Sequence, residues 1–205
     1  LLGANKPRYY GLNDLDKKLE HYVDYDGGFY VELGANDGQS QSNSYYFERY
    51  REWRGVLIEP APNNFLKCNA LRGANNAVHL RACVSFDYAE KFVELTYANL
   101  MSVSVGLDSD LGDVAAHIAA AQPHLPAGEK SFTFGALAAP LNTILRESSA
   151  PALIDFLSLD VEGAELDVLK GIDHNEYRFK FLLIESRRVE RLSTYLAACN
   201  YEMAD

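Results

Sequence analysis

Five short apolar runs recur along the chain and define its expected framework, at residues 29–33, 55–58, 78–84, 154–159 and 179–184. Each has the length and the density of Val, Ile, Leu and Phe that are typical of a buried strand. Segments with helical spacing separate most of these runs. Strands that alternate with helices predict an α/β fold, with a mainly parallel central sheet and helices on both faces.

The expected helices cover residues 12–23, 40–53, 63–71, 162–170 and 189–199. The first of them places Leu15, Leu19 and Val23 on one face. Gly73 and Gly171 follow the third and fourth helices, as C-terminal stops do. A chain of 205 residues suits one such domain. We therefore expect a single domain over 1–205, in which residues 1–27 form a helical lead-in.

The alternation of strands and helices is interrupted by an insertion between the third and fourth predicted strands, at residues 86–150. Alternation of apolar and polar positions over 93–97, and again over 101–105, predicts an added hairpin. An alanine-rich helix is predicted over 111–121 and a further helix over 141–146. We expect the insertion to form an acceptor pocket or a lid; the alternative is a surface layer with no role in binding.

Composition and charge narrow the range of partners. The chain is 48% hydrophobic and 23% charged, which is ordinary for a globular protein. Its net charge of −10 argues against a nucleic-acid partner. No apolar run approaches the roughly 20 residues of a transmembrane segment, and the start has no signal-peptide pattern. Small neutral or cationic molecules remain as expected ligands.

The cysteines and the first residue bear on the setting of the protein. Cys68, Cys83 and Cys199 form no CxxC pair and have no zinc-ligand spacing. We interpret them as reduced residues, which predicts a cytoplasmic protein. The chain begins with Leu1 rather than Met, so it is also read as a domain that could have been excised from a larger protein.

The loop after the first strand has the pattern of a ligand site. Ligands of open parallel sheets bind beyond the C-terminal ends of the strands, where glycines let backbone N–H groups come close. Here Gly34 and Gly38 follow Glu32, but Asn36 and Gln39 occupy the second and third glycine positions of the dinucleotide pattern GxGxxG. An acid before the loop disfavours a pyrophosphate. It suits the cationic S-adenosylmethionine, whose methyltransferases commonly have acid-x-Gly-x-x-x-Gly here.

A second acid, Glu59, supports the same cofactor. It follows an apolar strand about 20 residues after the loop, where a carboxylate typically accepts hydrogen bonds from ribose hydroxyls. The alternative is a solvated carboxylate at a strand end. The third strand ends at Cys83-Val84-Ser85, which we expect to flank the adenine. The predicted cofactor-binding set is Glu32, Gly34, Ala35, Asn36, Asp37, Gly38, Ser42, Asn43, Glu59, Pro60, Cys83, Val84 and Ser85.

Four blocks of sequence carry a resemblance to a known family. They read, in order, VELGANDGQSQSNSYYFER, WRGVLIEPAPNNF, ACVS and IDFLSLDVEGAELDVLKGI. In content and order they resemble the FkbM-type methyltransferases. The resemblance implies a Rossmann-like class I fold, S-adenosylmethionine as cofactor, and methyl transfer, usually to a hydroxyl of a sugar or a secondary metabolite. Such folds usually close with an antiparallel hairpin, for which residues 200–205 offer little sequence.

Three acids are the expected catalytic groups. Asp160 and Glu185 end the fourth and fifth strands and Glu162 follows closely, so all three should open onto one crevice. A hydroxyl is a poor nucleophile, so its methylation needs a general base or a metal ion. Asp160 is the preferred base or metal ligand, and the three acids together could hold Mg²⁺ or another divalent cation. Alternatively, Glu162 and Glu165 merely complement the positive end of a helix.

The sequence thus predicts an S-adenosylmethionine-dependent O-methyltransferase, with a sugar, a glycan or a related small molecule as acceptor. The sugar follows from the resemblance alone. Two alternatives stay open, a nicotinamide-dependent oxidoreductase on a similar fold and a non-catalytic binding module. The missing GxGxxG pattern argues against the first. The combination of Glu32, Gly34, Gly38 and Glu59 argues against the second, since a scaffold has no need of all four.

Overall fold

The computed structural model of the chain describes residues 7–99, 102–105, 107, 116, 119–120, 125 and 130–204. The strands within them are β1 (Phe29–Leu33), β2 (Arg54–Ile58), β3 (Ala77–His79), β4 (Ala82–Val84), β5 (Phe92–Tyr97), β6 (Val103–Val105), β7 (Phe132–Pro140), β8 (Leu153–Leu159) and β9 (Arg178–Ile184). A 3₁₀ turn at Leu12–Asp14 precedes the helices α1 (Leu15–Leu19), α2 (Tyr45–Tyr50), α3 (Pro62–Arg72), α4 (Leu141–Glu147), α5 (Glu165–Leu169) and α6 (Val189–Ala198).

The central sheet has the strand order β3-β2-β1-β8-β9, and every neighbouring pair in it is parallel. Successive side chains of a strand point to opposite faces. On one face, Tyr30, Leu57 and Phe156 pack in a cluster with residues of α1, α2 and α3. On the other, Val31 and Leu157 pack in a cluster with residues of α4, α5 and α6. The predicted α/β fold, with helices on both faces of a parallel sheet, is confirmed.

A second sheet lies in the region of the insertion, with the order β4-β7-β5-β6. The predicted hairpin is present, since β5 and β6 pair in antiparallel register from Thr96↔Val103 to Glu94↔Val105. β7 pairs with the other edge of β5. The alanine-rich helix predicted over 111–121 falls almost entirely outside the described residues.

The prediction of one strand over 78–84 was wrong. The chain leaves the central sheet after His79, and Ala82 begins a strand that pairs with β7 instead. In sequence, β3 and β4 look like one apolar run because both are half-buried or buried. Val84 of β4, however, packs in the core of the second sheet. Burial alone does not reveal which sheet a strand joins.

Three predicted helices begin late or end early. The first ends at Leu19, after a turn in which Asn13 and Asp14 have positive φ. The second begins at Tyr45 rather than at residue 40, and the fourth begins at Glu165 rather than at residue 162. Residues 40–44 and 162–164 instead form irregular backbone at the carboxyl edge of the central sheet. Among the described residues, no helix combines the length and the apolar character that crossing a membrane requires.

Candidate active site

The register of the central sheet brings the predicted site residues to one edge. Leu33 lies opposite both Ile58 and Leu159, and Leu159 lies opposite Ile184. The residue after each of these four is therefore the first to leave the sheet on its strand. Those residues are Gly34, Glu59, Asp160 and Glu185. Parallel strands in register thus gather a glycine and three carboxyl groups, which are far apart in sequence, around one opening.

A cavity of about 360 Å³ lies at this edge. Of the residues predicted to bind a cofactor or to act in catalysis, it is lined by Glu32, Gly34, Ala35, Asn36, Ser42, Glu59, Pro60, Cys83, Asp160, Glu162 and Glu185. The two groups of predicted residues therefore share one space, as a cofactor and an acceptor that react together require.

Gly34 allows the loop after β1 to lie directly against the end of β8. Its φ is +76°, and a Cβ atom at this position would lie 2.0 Å from the carbonyl oxygen of Asp160. No other residue type fits there without moving the backbone. The requirement for glycine therefore comes from a backbone approach next to the cavity.

Glu59 is buried and holds the same loop from the side of β2. One carboxylate oxygen accepts the backbone N–H of Asn36 at 2.8 Å, and the other accepts the backbone N–H of Ala61 at 2.8 Å. Burial raises the pKa of this carboxyl group to about 7, although the two N–H donors act in the opposite direction. The group therefore titrates close to neutral pH at the wall of the cavity.

The Glu32 carboxylate, by contrast, is occupied by groups of the protein. It accepts hydrogen bonds from the hydroxyls of Ser42, at 2.8 Å, and Ser44, and from the backbone N–H of Asn43 at 3.0 Å. The guanidinium of Arg72 lies 3.6 Å away. Glu32 lines the cavity, as a cofactor-binding residue should, but most contacts of its carboxylate organise the segment that follows the glycine loop.

Asp160 and Glu185 form the acidic wall of the cavity. Burial, and next the charge of Glu185, raise the pKa of Asp160 to about 8. Asp160 Oδ1 is buried and has no hydrogen-bond partner among the described residues. The Asp160 carboxyl group therefore holds its proton to a higher pH than an ordinary aspartate, and its Oδ1 is a buried polar atom without a hydrogen-bond partner among the described residues.

Comparison of the chain with known proteins identifies its family. Residues 32–203 match the model of the methyltransferase FkbM domain. The chain belongs to the FkbM methyltransferase family. The match runs from β1 to beyond α6, and so includes all four strand ends of the site. No curated protein and no solved structure was found to match the chain. Methyltransferases of this family typically use S-adenosylmethionine.

The metal site expected from the three acids does not fit the geometry of this FkbM domain. Glu162 has a positive φ of 54° and its carboxylate accepts a hydrogen bond from Arg187 at 2.9 Å. Within the described part of the chain, no three His, Cys, Asp or Glu side chains are arranged to hold a metal ion. In the described structure Asp160, Glu162 and Glu185 are therefore not arranged as a ligand set, and one oxygen of Glu162 is paired with Arg187 instead.

Glu165 supports the turn beside Glu162. It is buried, and its Oε1 accepts the backbone N–H groups of Val161 at 3.2 Å and Gly163 at 3.0 Å. This is the structural alternative stated for Glu165, in which a carboxylate satisfies free N–H groups before a helix. The contact fixes the backbone that carries Asp160 and Glu162.

Some residues predicted to bind the cofactor lie behind the cavity and do not line it: Asp37, Gly38, Asn43, Val84 and Ser85. The Asp37 carboxylate accepts the backbone N–H groups of Gln39 and Ser40 and thereby shapes the turn. Gly38 faces Cys68 and Arg72 of α3. Val84 packs in the core of the second sheet and Ser85 follows it, so of Cys83, Val84 and Ser85 only Cys83 lines the cavity.

Other lining residues were missed, and five of them come from the lead-in and the insertion. They include Leu12, Gln41, Arg81, Leu95, Asn99, Ser102 and Leu107. Leu12 is brought in by the bridge between Gly11 and Gln41. Asn99 accepts a hydrogen bond from the Asn36 side chain at 3.3 Å. No local pattern marks these residues, because tertiary contacts alone bring them to the cavity.

Proposed function

We propose that this FkbM domain is an S-adenosylmethionine-dependent O-methyltransferase that acts on a hydroxyl of a sugar, a glycan or a related small molecule. One observation carries the proposal. The Gly34 loop, tied to Glu59 through Asn36, opens onto the same cavity as the acid pair Asp160 and Glu185. A cofactor subsite and a proton acceptor thus lie side by side, in a chain that belongs to a methyltransferase family.

The cofactor subsite is assigned to Gly34, Ala35, Asn36, Glu59, Pro60 and Cys83. A carboxylate oxygen has two lone pairs, and each oxygen of Glu59 uses one for a backbone N–H. The second lone pairs are available for the two ribose hydroxyls. Burial raises the pKa of Cys83, so its thiol stays neutral and offers an apolar surface to the adenine. When bound, S-adenosylmethionine supplies the electrophilic methyl group.

The catalytic role is assigned to Asp160, with Glu185 beside it. A general base must reach the acceptor hydroxyl and hold its proton. The pKa of Asp160, raised to about 8, makes its ionised carboxylate a stronger base than an ordinary aspartate, and this ionised form takes up the proton of the acceptor hydroxyl beside Glu185. Asp160 emerges beside Gly34, and the acceptor oxygen is thereby directed towards the cofactor subsite. Glu162, which is bound to Arg187, supports the wall.

The acceptor subsite is assigned to Gln41 and to the side chains that the lead-in and the insertion contribute. Gln41, Asn99 and Ser102 offer hydrogen-bonding groups, whereas Leu12 and Leu95 are apolar. A sugar has hydroxyls on its edge and C–H groups on its ring face, and it matches this mixture. The insertion at 86–150 is thus proposed to form part of the acceptor pocket within a single domain over 1–205. Free cysteines agree with action in the cytoplasm.

Calorimetry tests the cofactor. The purified chain is titrated with S-adenosylmethionine and with its demethylated product S-adenosylhomocysteine, and NADH serves as the control ligand. We expect binding of the first two, and a loss of affinity of about a hundredfold in Glu59→Ala, because two charge-assisted hydrogen bonds are removed. Glu90→Ala, an exposed acid away from the cavity, is the matched control. Binding of NADH alone would support the oxidoreductase, and no binding of any of the three would overturn the cofactor assignment.

An acceptor screen then tests the reaction. Free and nucleotide-linked sugars and glycans are offered with S-adenosylmethionine, and formation of S-adenosylhomocysteine is followed. We expect turnover with a hydroxyl-bearing acceptor, and its near-complete loss in Asp160→Asn at unchanged affinity for S-adenosylhomocysteine. Turnover that survives this substitution would remove Asp160 from the catalytic role.

A further inference from the structure

Arg72 is a fully buried cation at the end of α3. It is 1% exposed, although a buried charge is costly unless it is paired and hydrogen-bonded. Its guanidinium meets that requirement on all sides. Nε donates to Glu48, Nη1 to the Gly38 carbonyl oxygen at 2.9 Å and to Ser42 Oγ at 3.3 Å, and Nη2 to Tyr30 Oη at 2.6 Å and to Ser44 Oγ at 2.9 Å.

Two carboxylates and two aromatic rings complete this environment. Glu48 forms an ion pair with the guanidinium, and the Glu32 carboxylate lies 3.6 Å from Nη1. The guanidinium carbon lies 5.0 Å from the centroid of the Tyr45 ring and 5.3 Å from that of Tyr30. The neighbouring negative charges raise the pKa of Arg72, so it stays a cation despite its burial. The charge of Glu32 is thereby balanced inside the protein.

The contacts of Arg72 fall into two groups. Gly38, Ser42 and Ser44 belong to the loop and the irregular segment after β1, and Glu32 at the end of β1 binds the same two serines. Glu48 and Tyr30 belong to the scaffold below. Arg72 itself does not line the cavity, whereas Glu32 and Ser42 do. It therefore acts on the site from behind, through the segment that it holds.

We infer that Arg72 is a positioning residue that fixes the backbone of residues 34–44, the segment that begins with the three loop residues assigned to the cofactor. The inference rests on the proposed function for the role of that segment. The fork of the guanidinium reaches a carbonyl oxygen and two hydroxyls at fixed angles, and a lysine ammonium cannot reproduce this geometry. Loss of the fork leaves Glu32 buried with fewer partners and frees the loop between Gly34 and Ser44.

Hydrogen exchange of the free protein tests the positioning without any ligand. In Arg72→Lys we expect amides of residues 34–44 to exchange about tenfold faster or more, because sub-global opening of this segment becomes easier. Amides of β2 should change only as far as global stability changes. Tyr30→Phe is the matched control, since it removes the 2.6 Å bond to Arg72 and the bonds of the phenol to Glu48 and Asn76, all on the scaffold side, and leaves the contacts to the loop in place. Equal exchange of 34–44 in both variants would overturn the inference.

The affinity for S-adenosylhomocysteine gives the second readout. We expect the dissociation constant to rise about tenfold in Arg72→Lys and to stay within about twofold in Tyr30→Phe, at comparable losses in melting temperature.

If Arg72→Lys does not fold, Ser44→Ala probes the same contact from the segment, and it should speed exchange of 34–44. Unchanged exchange in Ser44→Ala would then refute the role. Because the exchange experiment needs no cofactor, a failure of the cofactor assignment is distinguishable from a failure of this inference.

Discussion

The carboxylate of Glu59 accepts the backbone N–H of Asn36 at 2.8 Å, and this bond joins the end of β2 to the glycine loop after β1. The acid proposed to bind the ribose is therefore also a structural part of the loop. Because both ends of the bond are buried, its strength depends on the charge of Glu59. The protonation state of Glu59 thus affects both the hydrogen bond that holds the glycine loop and the proposed contact with the ribose.

Cofactor affinity is expected to depend on pH through Glu59. Burial raises the pKa of its carboxyl group to about 7, so the group gains a proton as pH falls below 7 and becomes a poorer acceptor for ribose hydroxyls. We expect the affinity for S-adenosylhomocysteine to decrease by up to about tenfold per pH unit below 7. Calorimetry from about pH 5.5 to about pH 8.5, roughly 1.5 units on either side of the midpoint, measures this. Glu59→Gln should bind more weakly with little pH dependence; a flat profile in the unsubstituted chain would contradict the role of Glu59.

Two glycines with nearly the same positive φ allow steric contact to be distinguished from backbone strain. Gly34 has φ +76°, and a Cβ atom added there would lie 2.0 Å from the Asp160 carbonyl oxygen, whereas Gly27 has φ +74° and no atom within 4 Å of the same position. Gly27→Ala should cost only the strain of the left-handed region, about 1–2 kcal/mol. Gly34→Ala should lower the free energy of unfolding by about 3 kcal/mol or more and weaken cofactor binding.

Urea denaturation and calorimetry measure the two glycine variants side by side. The expected result is a larger loss of stability in Gly34→Ala, with a loss of affinity confined to that variant. Equal losses of stability in both would mean that the loop can move away from β8, and that the close approach at Gly34 is not required.

The parallel core could be predicted from the sequence because burial on both faces leaves continuous apolar runs. The site residues at the strand ends followed from the same runs, since in-register parallel strands deliver their next residues to one edge. The errors lie where tertiary contacts override the local pattern. Residues 40–44 have the composition of a helix start, but Glu32 and Arg72 bind the hydroxyls of Ser42 and Ser44 there, and the helix begins only at Tyr45.

The remaining lining residues could not be predicted, for a related physical reason. Leu12 and Asn99 reach the cavity through a backbone bridge and a side-chain hydrogen bond to distant parts of the chain, and neither contact leaves a periodic signal. Arg72 is a similar case. In sequence it is a basic residue in the last turn of a helix, which usually is a solvated cation near the negative end of the helix dipole. Only the three-dimensional structure reveals its burial.

Divalent cations are expected to leave the domain unchanged, because Arg187 occupies the carboxylate of Glu162. A ligand that binds the folded state raises the melting temperature in proportion to the logarithm of its concentration. We therefore expect no shift in melting temperature with millimolar Mg²⁺, compared with a sodium salt of equal ionic strength, and no change in affinity for S-adenosylhomocysteine after treatment with a chelator. A melting temperature that rises steadily with Mg²⁺ concentration would restore the metal site that the sequence had predicted.

Asp160→Asn is expected to stabilise the free protein at high pH. The folded-state pKa of Asp160 is raised to about 8, mainly by burial and then by Glu185, whereas an unfolded aspartate has a pKa of about 3.9. Between these values the folded state binds more protons than the unfolded state, so stability is fully present below about pH 4 and is lost as pH rises towards 8. The asparagine carries no such penalty, and its advantage should grow across this window and then level off.

Differential scanning calorimetry at pH 4 and pH 9 measures both limits of the Asp160 effect. We expect the melting temperature of Asp160→Asn to exceed that of the unsubstituted chain by about 3 °C or more at pH 9, since 1 kcal/mol corresponds to roughly 2–4 °C in a domain of this size. A variant that is less stable than the unsubstituted chain at pH 9 would show that the Asp160 carboxylate is favourable in the folded state, and would contradict the raised pKa of Asp160.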